Sequence, residues 1–194
     1  MDPRQPLPRL WLLTDERMCV DGLARALERL PAAAGIVFRH YHTPPDERRR
    51  LFDQVRAAAR AKGQLLLLAA PAELAAAWGA DGSHGRGAGS GVRTAPVHNH
   101  AELLEAQRSG AALVFISPVF ATRSHAGAPV LGPEGFARLA RATRLPAVAL
   151  GGMDAVRFDA LEGAYGWAGI DAWSAPASGR ASSTSSTGTP PRIG

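Results

Sequence analysis

Cysteine and lysine are almost missing from this chain of 194 residues, since each occurs only once. A lone Cys19 excludes an intramolecular disulfide and a cysteine-rich zinc site. Lys62 is the only lysine, so any mechanism that depends on a Schiff base or on a lysine cation must use that side chain. Enzyme classes that need a catalytic lysine are therefore excluded unless Lys62 is that residue.

Long apolar runs are also lacking. The longest, at 65–72, is far shorter than the roughly 20 residues that a membrane-spanning helix needs. The opening stretch MDPRQPLPRL has no apolar centre of the kind found in signal peptides. A hydrophobic content of 46% is still enough for a sizeable core. We expect a soluble cytoplasmic protein with no membrane partner.

The positive charge is spread along the chain. The formal net charge is +5, and every basic residue except Lys62 is an arginine. The densest cluster, at 48–50, lies in a helical pattern with Asp46, Glu47 and Asp53, which is typical of a solvated helix face. Nucleic acid is therefore not expected as a partner.

Eight short apolar segments, mostly separated by helical patterns, make up the order of predicted elements. Predicted strands are RLWLLTDE, GIVFRHY, QLLLLAA, DGSHG, VRTAPV, ALVFI, PAVAL and GWAGI, and predicted helices lie at 22–30, 44–62, 71–79, 99–110, 133–143 and 154–161. Strands that are apolar throughout indicate a sheet covered on both faces. Alternation with helices predicts an α/β protein with a parallel sheet, and eight such units favour a closed (β/α)₈ TIM barrel.

The barrel is expected to be trimmed. About 175 ordered residues is below the usual size for this architecture. The segment GRGAGSG at 85–91 is too rich in glycine for a helix, and no helical pattern follows the eighth strand. We predict one domain at 8–173. Residues 174–194, rich in Ser, Thr, Gly and Pro, are expected to form a flexible, disordered C-terminal tail.

All histidines lie at or just after the carboxyl end of a predicted strand. They are His40, His42, His84, His98, His100 and His125. In a barrel those strand ends converge on one mouth, where active sites are held. The polar loop after Ile116 is therefore expected at this mouth. For His98 a helix-capping role, and for His84 a role in ending a strand, remain equally good interpretations. A histidine-only metal site lacks the helical His-x-x-x-His spacing.

Two consecutive glycines, Gly151 and Gly152, close the seventh strand just before Asp154 begins a helix. Exposed backbone amides in such a turn form an anion site, and barrels commonly bind phosphate after strands seven and eight. We therefore favour phosphate binding here. The segment at 85–91 lacks the Lys-Ser/Thr ending of a P-loop and is interpreted as a flexible lid.

The chain resembles the thiamine phosphate synthase / TenI family from about residue 10 to 170. The resemblance is carried by LWLLTDE, GADGSHG, VHNHAEL, ISPVFATRSH and VALGGM. It implies a (β/α)₈ barrel acting in thiamine assembly. The synthases join a hydroxymethylpyrimidine diphosphate to a thiazole phosphate and release pyrophosphate, with Mg²⁺, Arg and Lys stabilising the departing charge.

Several site residues follow from the resemblance. Arg39 matches the arginine after strand two, Thr122 and Ser124 match hydroxyls of the sixth loop, and the two glycines match the thiazole phosphate loop. With Arg39, we assign Arg123 and His125 to anionic groups, and His84 to substrate binding beside them.

The departures from the family pattern concern metal and lysine positions. Where the family has Gln and Lys on either side of the arginine, this chain has Val37 and Tyr41. The family's Asn-Asp pair after strand three is replaced by Ala-Ala at 69–70, and the position of its second acidic ligand lies near Gly89. The lysine of the sixth loop is His125. Mg²⁺ is implied by the resemblance, yet its usual ligands are absent, so no metal ligand is assigned.

Three functions remain open at this point. One is a synthase in which arginine and histidine replace lysine and magnesium in handling pyrophosphate. Another is a thiazole tautomerase of the TenI type, which needs no metal and would use His98 as general acid and base. The third is a non-catalytic binder of thiamine precursors. Each implies small phosphorylated thiazole and pyrimidine partners, and a homo-oligomer is compatible with all three.

Overall fold

The computed structural model describes residues 6–122, 127 and 129–174. Its strands are β1 Leu10–Leu13, β2 Gly35–Phe38, β3 Leu65–Leu68, β4 Gly82–His84, β5 Val92–Val97, β6 Leu113–Ile116, β7 Ala147–Leu150 and β8 Gly166–Gly169. Its helices are α1 Val20–Arg29, α2 Pro45–Ala61, α3 Ala72–Trp78, α4 His100–Arg108, α5 Gly132–Arg141, α6 Ala155–Asp159 and α7 Asp171–Ser174. The predicted alternation of strands and helices is confirmed.

The sheet closes on itself as a barrel. Its strands follow one another in chain order, every neighbouring pair is parallel, and β8 pairs with β1. The registers are continuous, as in the pairing of Leu12 with Ile36 on one side and Gly169 on the other. Because all strands point the same way, their carboxyl ends open onto one end of the barrel, which is called the mouth below.

Alternate side chains of each strand fill the barrel or pack under the helices. The interior group consists of Trp11, Leu13, Val37, Leu65, Leu67, Leu113, Phe115, Val148 and Ala168, with Ala69 above them. The rings of Trp11 and Phe115 meet edge to face with centroids 5.2 Å apart. The interior is therefore a packed core, and ligand space is expected only above it, at the mouth.

One prediction at the carboxyl end is wrong. A four-residue helix, α7, follows β8 and packs against α1. Trp173 of this helix stacks on Trp167 at 5.1 Å and donates its indole N–H to the carbonyl of Trp11 at 3.1 Å. A helix of four residues is too short to show periodicity in the sequence, and its stability comes from this tryptophan contact. The tail is predicted at 174–194; its first residue, Ser174, ends α7, and 175–194 lie outside the described residues. The domain limits stay a prediction.

The connection between β4 and β5, described throughout, contains no helix, as predicted. The outer side of β5 is covered there by Arg93, whose exposure is only 4%. Its guanidinium donates to the carbonyls of Gly87 in the connection and Ser109 at the end of α4. Gly89 lies so close to Ala72 of α3 that a side chain there would collide with it. A buried arginine thus holds the trimmed connection against the barrel.

We expect Arg93→Ala to lower the free energy of unfolding by about 2–4 kcal/mol, because it removes a buried side chain whose guanidinium donates to two carbonyls. Urea denaturation followed by circular dichroism measures this change. Arg60→Ala, at an exposed position of α2, is the control and should stay within about 0.5 kcal/mol of the parent. Equal stability of the two variants would contradict the role given to Arg93.

Within the part of the chain that the structure describes, no helix combines the length and apolar character needed to cross a membrane.

Candidate functional site

Arg39 lies at the mouth, one residue beyond β2, with a side-chain exposure of 17%. Its backbone N–H donates to Thr14 Oγ1 at 3.1 Å, and its Nε donates to the carbonyl of Thr14 at 2.8 Å. Nη2 pairs with a carboxylate oxygen of Asp15 at 3.0 Å. No described residue accepts from Nη1 of Arg39. A fixed guanidinium with one open edge suits recognition of an anion.

Asp15 is a member of this site that the sequence reasoning did not single out. Burial would raise the pKa of its carboxyl, but hydrogen bonds from Arg17 and the positive charge of Arg39 lower that pKa below its usual value. Asp15 therefore stays ionised and fixes Arg39. The signal was present in the sequence, because Thr14 and Asp15 follow a buried strand just as the histidines do.

The residues after Arg39 differ in burial. His40 is 3% exposed and stacks on Phe38 under the helical layer, whereas the following Tyr41 is 58% exposed. Glu16 accepts a hydrogen bond from the backbone N–H of His42 at 2.8 Å. His40 is therefore part of the barrel wall behind the mouth.

Arg48 departs from the predicted solvated face. Its guanidinium donates to the carbonyl of Arg39 at 2.8 and 3.0 Å and to the carbonyl of Ala69 at 3.1 Å. It therefore ties the ends of β2 and β3 together from helix α2. The neighbouring Arg49 pairs with Asp53 at 2.8 Å on the outer face, in agreement with the sequence interpretation.

His84 is the last residue of β4 and points into the barrel below the mouth. Its Nδ1 is hydrogen-bonded to Thr94 Oγ1 at 2.9 Å, and its ring meets Phe115 edge to face at 5.3 Å. Burial, with a smaller contribution from the charge of Arg39, lowers the pKa of His84 to about 3. The imidazole is therefore neutral at physiological pH and can offer a hydrogen bond but no positive charge.

His98 follows β5 and is coupled to helix α4. Its Nδ1 lies 2.7 Å from a carboxylate oxygen of Glu102, which also accepts the backbone N–H of His98 at 2.8 Å. Asn99 caps the helix by accepting the N–H of Glu102 at 3.0 Å. Arg86 of the β4–β5 connection pairs with the same carboxylate at 2.6 Å. His98 thus takes part in helix capping, and its half-exposed ring still keeps one nitrogen available.

The paired glycines form a tight turn after β7. Gly151 and Gly152 have φ values of +98° and +62°, in the left-handed region that favours glycine. No described residue accepts a hydrogen bond from either amide. The loop after β6 packs against this turn, since the N–H of Phe120 donates to the carbonyl of Gly151 at 3.0 Å. Thr122 continues that loop, so it lies at the same end of the barrel as the glycines.

The other candidates of the sixth loop, Arg123, Ser124 and His125, lie outside the described residues. Arg39, His84, His98, Thr122 and the glycine pair all lie at or beyond carboxyl ends of parallel strands. The barrel therefore brings these candidates to one mouth, although their individual roles remain predictions.

A family model described as thiamine monophosphate synthase matches residues 91–173. A thiamine-phosphate synthase of Laribacter hongkongensis (strain HLHK9) is 33% identical over 185 residues, covering 84% of this chain and 82% of that protein. The chain belongs to the thiamine monophosphate synthase family. A further family relative, the putative thiamine-phosphate synthase 2 of Aquifex aeolicus (strain VF5), is 27% identical over 179 residues, with 84% of this chain and 96% of the relative covered.

The family fold is also seen in a solved structure. Thiamine phosphate pyrophosphorylase from Pyrococcus furiosus superposes with a TM-score of 0.73 at 26% identity, covering 87% of this chain and 88% of that chain. The predicted family and the predicted barrel are both confirmed.

The magnesium site expected of this family does not fit the residues present. Ala69 and Ala70 end β3 without a carboxylate, and the carbonyl of Ala69 already accepts from Arg48. Asp15, the acid beside Arg39, is bound to two arginines. Over the described residues, no three His, Cys, Asp or Glu side chains are grouped so as to hold a metal ion. We therefore derive no step of the chemistry through Mg²⁺.

His84 should give folding stability a specific pH dependence. In the unfolded chain a histidine titrates near pH 6.5, whereas folded His84 titrates near 3. Between these values the unfolded chain binds more protons, so stability falls as the pH falls, by up to about 1.4 kcal/mol per pH unit from this group.

His84→Gln should therefore flatten the decline in unfolding free energy between about pH 7 and pH 5, as measured by urea denaturation. The exposed His100 is the control. If His100→Gln flattens the curve to the same extent, the effect is not specific to the buried imidazole.

Proposed function

We propose that this chain catalyses the thiamine-phosphate synthase reaction, joining hydroxymethylpyrimidine diphosphate to thiazole phosphate with release of pyrophosphate. The relationship to the Laribacter and Pyrococcus proteins supports this reaction. The observation that carries the proposal is the placement of Arg39 and the glycine pair at the same mouth, one suited to a diphosphate and the other to a monophosphate. Because the proposed substrates are small phosphorylated molecules, we expect the protein to be in the cytoplasm.

Arg39 is proposed to hold the diphosphate. Its Nε and Nη2 are engaged by Thr14 and Asp15, which aims the open Nη1 edge away from its supports. A guanidinium fixed in this way stabilises negative charge without having to reorganise during the reaction. Arg123 and His125 of the sixth loop are the further cations we propose for the departing pyrophosphate.

The glycine turn is proposed to hold the thiazole phosphate. The amides of Gly151 and Gly152 have no acceptor among the described residues, and their backbone conformation admits close approach of an anion. Thr122, on the adjoining loop, would add a hydroxyl. His84, neutral and buried, would contribute a hydrogen bond to substrate at the floor of the mouth.

The bond changes balance without an acid or base. The C–O bond of the pyrimidine methylene breaks, pyrophosphate leaves with the electron pair, and the thiazole nitrogen donates its lone pair to the resulting carbocation. No proton is transferred in these steps. The protein's tasks are therefore to stabilise pyrophosphate and to align the thiazole nitrogen with the methylene carbon.

A thiazole tautomerase is the second candidate, and the contact between His98 and Glu102 favours it. A carboxylate 2.7 Å from Nδ1 fixes the ring and leaves Nε2 as the nitrogen that exchanges a proton. The synthase reaction gives His98 no such task. The two functions therefore predict opposite effects of replacing this residue.

The deciding assay mixes the purified protein with both precursors, with and without Mg²⁺, and measures thiamine phosphate. We expect product formation that falls at least tenfold in Arg39→Gln and is retained in His98→Ala. Arg60→Gln, on the exposed face of α2, is the control for loss of one arginine. Absence of product, together with thiazole isomerisation that disappears in His98→Ala, would support the tautomerase. Thermal stabilisation by thiazole phosphate without either reaction would support a binder.

Gly151→Ala should weaken thiazole phosphate binding at least tenfold, because the new Cβ would lie 2.8 Å from the Cα of Pro118 and distort the turn. Isothermal titration with thiazole phosphate measures the affinity. Gly163→Ala is the matched control, since Gly163 has a φ of +79° but its Cβ would have ordinary contact with Ala140 at 3.7 Å. A similar loss of affinity in both variants would show that general backbone strain, and not the turn, is responsible.

A further inference from the structure

A hydrogen-bonded chain of three residues lies behind the open edge of Arg39. His40 Nδ1 is 2.9 Å from Thr14 Oγ1, and the same hydroxyl accepts the backbone N–H of Arg39 at 3.1 Å. The carbonyl of Thr14 accepts Nε of Arg39 at 2.8 Å. Thr14 therefore contacts the arginine at both its backbone and its guanidinium, and His40 contacts Thr14 from the wall.

The direction of each hydrogen bond follows from the number of protons available. A threonine hydroxyl has a single proton to donate. Oγ1 of Thr14 accepts from the amide of Arg39, and among the described residues Nδ1 of His40 is the only group in contact that can accept its proton. We therefore take Nδ1 as the acceptor, so the ring is neutral and carries its proton on Nε2.

The surroundings of His40 favour this neutral form. The ring lies against Phe38 with centroids 4.6 Å apart and planes 8° from parallel. Burial lowers its pKa, against the attraction of Glu16 and Asp15 and with the repulsion of Arg39 and Arg48. These four are the charged groups that face it from β1, β2 and α2 and their loops.

The backbone at His40 is held in an uncommon conformation. Its φ of +44° is the only positive value at a non-glycine residue of the described chain. This conformation is costly for a side chain other than glycine and is kept where the surroundings fix it. Here the turn directs Arg39 to the mouth while the imidazole of His40 packs into the wall.

We propose that His40 is a positioning residue that, through the Thr14 hydroxyl, fixes the Arg39 guanidinium for an anionic substrate group. The proposal rests on the proposed function in taking Arg39 as the anion-binding group. The Thr14 hydroxyl holds the backbone amide of Arg39, while the Thr14 carbonyl and Asp15 bind its guanidinium. Loss of the hydroxyl therefore loosens the backbone from which the guanidinium is aimed, so affinity for the anion falls. Protonation of His40 has the same effect, because Nδ1 then carries a proton and the hydroxyl can no longer donate to it.

This effect of pH on anion affinity is opposite to the one expected from electrostatic attraction alone. An added positive charge near the mouth would by itself strengthen binding of an anion. The positioning role instead predicts that acidification removes the advantage conferred by the Thr14 hydroxyl. The two explanations can therefore be separated by comparing variants at several pH values.

The probe is inorganic pyrophosphate, titrated calorimetrically into the full chain. At about pH 7.5 we expect Thr14→Val to bind it about tenfold more weakly, and Thr14→Ser to recover most of the affinity. Thr143→Val, which removes a hydroxyl beyond α5, should leave the affinity unchanged. Because pyrophosphate itself titrates, the quantity compared is the affinity ratio of the parent to Thr14→Val, which should shrink as the pH is lowered and His40 takes up a proton.

A nitrogen-15 NMR measurement tests the hydrogen-bond directions without any ligand. It should show Nδ1 of His40 unprotonated at pH 7.5, and a proton on Nδ1 in that state would overturn the proposal. An unchanged affinity in Thr14→Val, an affinity ratio that stays the same at a pH where NMR shows His40 protonated, or no pyrophosphate binding by the parent chain would also overturn it. If the parent makes no thiamine phosphate while the affinity ratio behaves as expected, the reaction assignment fails and the positioning role stands.

Discussion

Closure of a fully parallel sheet is the constraint on which the rest of this structure depends. Since β8 pairs with β1 in the same direction, every strand delivers its carboxyl end to one mouth. The interior below is filled by rings such as those of Trp11 and Phe115, so polar side chains have room only above it. Residues as distant in the chain as Arg39 and Gly151 therefore share one opening, although no direct contact joins them.

The fold and the placement of the candidate residues at one end of the barrel could be predicted from the sequence, because both depend on periodicity and strand order. Strand ends are marked where buried apolar segments give way to polar residues, and this rule placed His84 and His98 correctly. The pairing of Glu102 with both His98 and Arg86 could not be predicted in the same way, since it depends on how a glycine-rich connection approaches α4. Helix α7 was missed because a tryptophan contact, and not a repeat, stabilises it.

Burial separates histidines that look alike in the sequence. His84 and His98 both end strands, but the first is enclosed by Thr94 and Phe115 while the second is half exposed beside Glu102. A neutral, enclosed imidazole can orient a substrate, whereas an exposed imidazole on a carboxylate can exchange protons. At His98, one carboxylate of helix α4, that of Glu102, accepts the backbone N–H and also orients the ring, so a contact at the helix start and a role at the mouth are compatible.

The hydrogen bonds and ion pairs at the mouth also bear on the proposed binding of anionic groups there. Asp15 is neutralised by Arg17 and Arg39, and the carbonyl ends of β2 and β3 are bound by Arg48. These contacts do not cancel the positive charge available to a ligand, because carbonyl acceptors carry no formal charge and Asp15 offsets only one of the three arginines. The contacts restrict where the guanidinium groups can point. In the proposed reaction this restriction would favour pyrophosphate release, since a donor already aimed at developing charge needs no reorganisation during the reaction.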